Sequence, residues 1–227
     1  MIQKILNGAK KGLPIGIAYF PFAFTFGFIA TSAKISIFES SLMSFILYAG
    51  SSQVMIVKLL QDNSSIFQIV LAAIIINIRY SLINMPIVKK QHHENIFLKL
   101  INCFFLTDEC VSCMMINKIF DIYETIGFGI CAYLFFGISS ILGAMLGKFM
   151  PPLYTQSLNF ILYAIFLYLL TQVVIENHRY IFIVLITLII KIILSYLGLS
   201  ASLSILLSII LGALIPTIME GAKNARL

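Results

Sequence analysis

Charge is scarce in this chain. Of its 227 residues, 11% are Asp, Glu, Lys or Arg and 60% are hydrophobic, with a mean hydropathy of +1.03. A soluble domain carries roughly 25% charged residues, and no soluble fold of this size buries so much apolar surface. No polar stretch is long enough for a soluble domain. The alternation over about ten residues that marks a transmembrane barrel is also missing. Enzyme signatures are equally thin. There is no His-Glu-x-x-His zinc motif. No histidine lies well inside an apolar segment, since His178 is at an edge, so a serine nucleophile would lack its base. An intramembrane aspartyl protease needs aspartates on two spans, but Asp108 alone lies in one, with Asp62 and Asp121 in connectors. Cys110-x-x-Cys113 has metal or redox spacing without a second pair or a nearby His. With Cys103 and Cys131 it reads as small apolar helix residues. No metal and no cofactor are expected.

Long uncharged runs are what the chain has instead. Residues 12–33, 125–147, 149–175 and 192–219 form runs of 22, 23, 27 and 28 residues, and about 20 apolar residues span a bilayer as a helix. The apolar segments fall near 13–33, 40–57, 63–85, 96–117, 125–147, 158–175, 180–198 and 202–219. The first follows Lys4, Lys10 and Lys11 and is too long for a signal peptide, so it reads as a retained span. The net charge of +6 is explained by lysines at span ends rather than by nucleic acid. The connector Lys89–Lys99 holds His92 and His93 and reads as a solvated cytoplasmic loop.

A repeat is visible at an offset of 115 residues. Phe45-Ile-Leu-Tyr-Ala49 recurs as Phe160-Ile-Leu-Tyr-Ala164, and Ile66–Leu82 aligns with Ile181–Leu197 with six identities in 17. Such repeats are typical of secondary transporters. If every segment crosses fully from an internal N-terminus, Lys and Arg divide 8 inside to 5 outside; if the second and sixth are re-entrant, the division is 10 to 3. The second arrangement obeys the positive-inside rule better, and it turns the second half upside down. The expectation is an all-α polytopic membrane protein with about six to eight transmembrane segments and an inverted repeat with broken or re-entrant helices. It is a single domain, residues 1–227, with halves 12–117 and 127–219.

Four polar groups interrupt the apolar segments. Pro21 and Gly27 suit a packing kink in the first. Gly50-Ser51-Ser52-Gln53 interrupts the second, either as helix–helix glue or facing a substrate. Asn77-Ile78-Arg79 closes the third; Arg79 either snorkels to the interface or pairs with a carboxylate. Thr107-Asp108-Glu109 lies mid-segment, with eight uncharged residues on each side. A charge at the bilayer centre costs about 2.5–3.5 kcal/mol, and two neighbouring buried carboxylates resist ionising together. Asp108 either caps a short helix near the interface or, with Glu109, binds a proton or a substrate ammonium. Together these groups suit a zwitterion: an acid for the ammonium, Arg79, Gln53 or a helix N-terminus for the carboxylate, and an apolar surround.

The ordered set Pro21…Gly27, Ala49-Gly-Ser-Ser-Gln53, Asn77-Ile-Arg-Tyr80 and Phe105-Leu-Thr-Asp-Glu109 resembles the AzlC family of branched-chain amino acid exporters (the BrnF type) over residues 10 to 220. The resemblance implies efflux of Leu, Ile, Val and Met across the cell membrane, driven by the proton gradient. It also implies a small AzlD-type membrane subunit supplied by a separate chain. The competing readings are a passive channel or assembly subunit and, less favoured, an intramembrane enzyme.

Overall fold

The computed structural model describes residues 1–149 and 179–198, with helical positions 167, 170, 171, 174, 175, 204, 207, 208 and 210–212. Among these residues every regular element is a helix. In chain order they are α1 (Ile2–Ser32), α2 (Ile37–Ile46), α3 (Gly50–Gln61), α4 (Ile66–Asn77), α5 (Arg79–Ile83), α6 (Met85–Lys90), α7 (Ile96–Phe105), α8 (Asp108–Ile116), α9 (Ile122–Gly147) and α10 (Arg179–Tyr196). Helices α4 to α6 follow one another with single-residue breaks, so Ile66–Lys90 is one apolar stretch of 25 residues. With α1 at 31 residues and α9 at 26, three stretches among the described residues are long and apolar enough to cross a bilayer. The packing divides the chain into two compact units, Met1–Lys58 with Ala73–Leu162, and Leu59–Ala72 with Tyr163–Leu227. In the second unit, α10 packs Thr187 against the backbone of Gly212.

The first unit is organised on α1 and α9. The added Cβ of Gly8 would strike the backbone of Glu124, that of Gly27 the backbone of Ser140, and that of Gly143 the backbone of Phe24. Contacts therefore advance together along both helices, which run parallel. Small residues let the two backbones touch, the packing that replaces the hydrophobic effect inside a bilayer. Lys4 Nζ pairs with Asp121 Oδ2 at 2.6 Å and Lys11 Nζ with Glu124 Oε2 at 3.2 Å, fixing the two starting ends side by side. Partial burial opposes charge on Asp121. The hydrogen bond from Lys4 and the backbone N–H of Glu124 and Tyr123 outweigh it and hold the carboxyl below the usual carboxylate range. Helix α1 begins at Ile2, well before the expected span at residue 13.

The segments between α1 and α9 turn back inside the membrane. Helix α2 starts with a capping box, in which Ser36 and Glu39 hydrogen-bond each other reciprocally. It runs antiparallel to α9: Ser44 donates to Ser140 at 2.7 Å, and Phe45 carbonyl accepts from Tyr133 at 2.9 Å. After α2, Tyr48 takes φ +43°, and α3 folds back. Gln53 Nε2 donates to Ser44 Oγ at 3.1 Å; along a straight helix those nine residues would rise about 13.5 Å, too far for that contact. The expected break in the second segment is therefore present, and it makes a hairpin.

The fourth segment is a second hairpin. Gln91 Nε2 donates to Phe120 carbonyl at 3.1 Å, and Asn102 Nδ2 donates to Gln91 Oε1 at 3.0 Å. Residues 102 and 120 thus lie at one depth, and the chain between them goes in and returns. The break is at Leu106, whose extended backbone (ψ 108°) ends α7. Gln91, expected in a solvated loop, is buried and also donates to Thr125 at 3.0 Å. His92 and His93 beside it are exposed.

These two hairpins fix the topology. Helix α1 crosses one way, α2–α3 dips in and returns, α4–α6 crosses back, α7–α8 dips from the starting face, and α9 crosses parallel to α1. A span followed by a re-entrant hairpin thus occurs twice in opposite directions, within residues 1–116. Helix α9, which opens the expected half 127–219, runs in the same direction as α1, and most of the rest of that half lies outside the described residues. That shared direction follows because the fourth segment also turns back, returning the chain to the starting face. The repeated motif Phe160–Ala164 lies outside the described residues.

Candidate functional site

Both hairpins put the N-terminus of a short helix at membrane depth. Helix α3 begins at Gly50, and α8 begins at Asp108 behind the Thr107 cap, whose Oγ1 accepts from Cys110 N–H at 3.4 Å. The first N–H groups of a helix lack partners within it and carry partial positive charge. At α8 two acids occupy that first turn; at α3 there are none. The third component is Ile78, the one-residue break between α4 and α5.

Arg79 joins the three. Its Nη1 lies 2.9 Å from Asp108 Oδ2, and its Nη2 donates to Ser51 Oγ at 3.1 Å. One guanidinium therefore bridges the tips of both hairpins. Asn77 Nδ2 donates to Ser52 Oγ at 3.2 Å, which ties α4 to the start of α3. Glu109 faces another way: its Oε2 accepts from Tyr19 OH at 2.9 Å, and that same hydroxyl hydrogen-bonds Thr107 Oγ1. Tyr19 sits near the middle of α1, which places the α8 start well inside the span.

Most expected site residues meet here. Ser51, Ser52, Asn77, Arg79, Thr107, Asp108 and Glu109 form one polar cluster across α3, α4, α5 and α8, with Tyr19 of α1 beside it. Arg79 pairs inward rather than snorkelling. Asp108 does start a short helix, but Thr107 is its cap and the setting is mid-membrane rather than interfacial. Gln53 does not reach the ion pair. It is fully buried and belongs, through Ser44 and Ser140, to a separate link joining α3, α2 and α9. Pro21 and Gly27 shape α1, with Gly27 against α9, while Gly50 leaves room for the Phe22 ring. Cys110 is buried beside Tyr19, and Cys113 contacts Asn117, so the pair packs as two separate side chains.

Sequence reasoning missed Tyr19, Tyr48, Ser44 and Ser140. The ring of Tyr48 packs edge-on against Tyr19, Tyr133 and Phe136 at 6.5, 5.1 and 5.5 Å. Tyrosines and lone serines in apolar helices are common, and no spacing distinguishes these from their neighbours. Four buried oxygens at or next to the cluster lack hydrogen-bond partners: Tyr48 OH, Gln53 Oε1, Asn77 Oδ1 and Asp108 Oδ1. Buried polar atoms are nearly always satisfied, so this is a site with unused hydrogen-bonding capacity.

Re-entrant hairpins, helix ends aimed at the bilayer interior and a guanidinium–carboxylate pair between them belong to a multi-pass, all-α membrane protein. The AzlC protein family model matches residues 14–150, and the chain belongs to that family. It is 40% identical over 77 residues to the inner membrane protein YgaZ of Escherichia coli (strain K12), covering 34% of this chain and 31% of that protein. It is 35% identical over 108 residues to an uncharacterized membrane protein of Archaeoglobus fulgidus, covering 44% of this chain and 45% of that one. The chain thus spans less than half the length of these curated relatives. No solved structure matches.

Proposed function

We propose that this chain is the large subunit of a secondary transporter that exports branched-chain amino acids, Leu, Ile, Val and also Met, in exchange for protons. The observation that carries the reading is Arg79, held between Ser51 and Asp108 where two hairpin tips and a helix break converge. An α-amino acid is a zwitterion, and it can open this ion pair without leaving either charge alone. Its carboxylate goes to Arg79 and the free N-terminus of α3, where Ser51 and backbone N–H groups wait. Its ammonium goes to Asp108, which has an oxygen to spare. The Phe- and Ile-rich surround accommodates an apolar side chain.

The membrane is the cell membrane, with the N-terminus in the cytoplasm. Lys4, Lys10, Lys11, Lys89, Lys90, Lys99 and Lys118 lie at the face where α1 starts, and Lys34, Lys58 and Lys148 lie toward the other, as the positive-inside rule requires. A small AzlD-type membrane protein completes the transporter. The two halves 12–117 and 127–219 act as one transport domain.

Export from cells loaded with a leucine-containing dipeptide tests the function. Cells lacking the chain should accumulate intracellular leucine, and restoring it should release leucine, faster with a larger inward proton gradient. Equal leucine efflux with and without the chain rules the reading out. A release rate indifferent to the gradient points instead to a passive channel.

A further inference from the structure

Asp108 and Glu109 are neighbours, yet they face different elements. Successive helical residues point about 100° apart, and here one meets α5 while the other meets α1. Asp108 is neutralised by Arg79 at 2.9 Å. Glu109 takes its hydrogen bond from the uncharged Tyr19 at 2.9 Å, and among the described residues no cation forms an ion pair with it. The formal charges of Arg79, Asp108 and Glu109 therefore leave the cluster at −1, and that charge is Glu109's. A zwitterionic substrate brings no net charge and leaves it in place. A proton on Glu109 removes it.

The hydrogen bonds around Glu109 have a direction. Thr107 Oγ1 accepts from Cys110 N–H, and Tyr19 OH donates to Glu109. Each hydroxyl has one proton, so Thr107 donates to Tyr19 and the relay ends on the Glu109 carboxylate. Tyr48, 3% exposed, packs edge-on against Tyr19 and lies beside Cys110. It is a second phenol within the same cluster. Glu109 is exposed on this chain. A charge at that depth does not face lipid without a large cost, so it faces water or a partner subunit, and either gives a proton access. The other ionisable groups around it are Tyr19 on α1, Tyr48 at the α2–α3 tip, Arg79 and Tyr80 on α5, and Asp108 and Cys110 on its own helix.

We propose, building on the exporter reading, that the two carboxylates divide the work: Glu109, oriented by Tyr19, carries the coupling proton, and Asp108, held by Arg79, takes the substrate ammonium. In one cycle the Glu109 carboxylate gains one proton from the proton-rich face and releases it to the other. Its charge goes from −1 to 0 and back, and Tyr19 keeps its own proton throughout as a positioning residue.

The test compares leucine counterflow, which needs no net proton movement, with proton-driven leucine transport, in vesicles of the membranes where the full chain is natively expressed. Glu109→Gln should depress proton-driven transport at least about tenfold more than counterflow, and Asp108→Asn should depress both alike. Tyr19→Phe, which keeps the ring, should lower the maximal proton-driven rate while half-saturation by leucine stays within about twofold. If Glu109→Gln lowers both modes equally, or Tyr19→Phe changes half-saturation alone, this division of labour is wrong and the exporter reading stands. Absence of any leucine flux with the unaltered chain overturns the exporter reading and this inference with it.

Discussion

Asp108→Asn and Arg79→Gln should each reduce leucine export at least about a hundredfold, equivalent to about 2.8 kcal/mol. Each removes one partner of a close ion pair and strands the other charge at membrane depth, where an unpaired charge costs about 2.5–3.5 kcal/mol. Each also removes a proposed ligand for one end of the substrate. The two losses should not add. In the Asp108→Asn/Arg79→Gln double variant no charge is stranded, so expression and thermal stability should recover toward the unaltered level while export stays lost. Arg79→Lys should not rescue export, because a lysine ammonium cannot hold Ser51 on α3 and Asp108 on α8 with one planar fork. Export assays with membrane abundance measured in parallel separate these effects. Independent, additive losses would place the two residues at different sites.

The second large effect lies away from the cluster. Gly27→Leu should destabilise the protein strongly, because a side chain there drives into the α9 backbone at Ser140 and Ala144. Overpacking costs about 1–3 kcal/mol in ordinary cores, occasionally more, and here the obstacle is main chain that cannot rotate aside. Ile17→Leu on the same helix should be nearly neutral, since Ile17 is 61% exposed. Thermal unfolding in detergent, read as loss of the monodisperse species, is the measurement. A Gly27→Leu protein as stable as Ile17→Leu would show that α1 and α9 do not pack this closely.

Much of the site was legible because charge in an apolar segment is conspicuous. Arg79, Asp108 and Glu109 stood out for that reason, and the structure brings them into one cluster. The dense Gly50-Ser51-Ser52-Gln53 run correctly signalled a broken helix, since small polar residues loosen the ladder. The same density misplaced Gln53, because spacing cannot say that α3 turns its side chain back toward Ser44. The break at Leu106 was signalled only by the reading of Asp108 as the cap of a short helix: leucine is a good helix former, and Thr107 acts as a cap only once the chain has turned. Missing that second hairpin left the shared direction of α1 and α9 unforeseen. Tyr19 was invisible for a different reason. Its ring belongs in an apolar helix, and only the fold brings its hydroxyl to Thr107 and Glu109.

The most direct measurement of the zwitterion account is competition for labelled leucine binding to the purified transporter. The account expects saturable binding displaced by isoleucine and valine, and lost in Asp108→Asn. Leucinamide, which keeps the ammonium, and N-acetyl-leucine, which keeps the carboxylate, should each compete at least about a hundredfold more weakly than leucine, since each leaves one charge of the opened pair without a partner. Analogues that displace leucine as well as valine does would contradict the pairing of Arg79 and Asp108 with the two ends of the substrate.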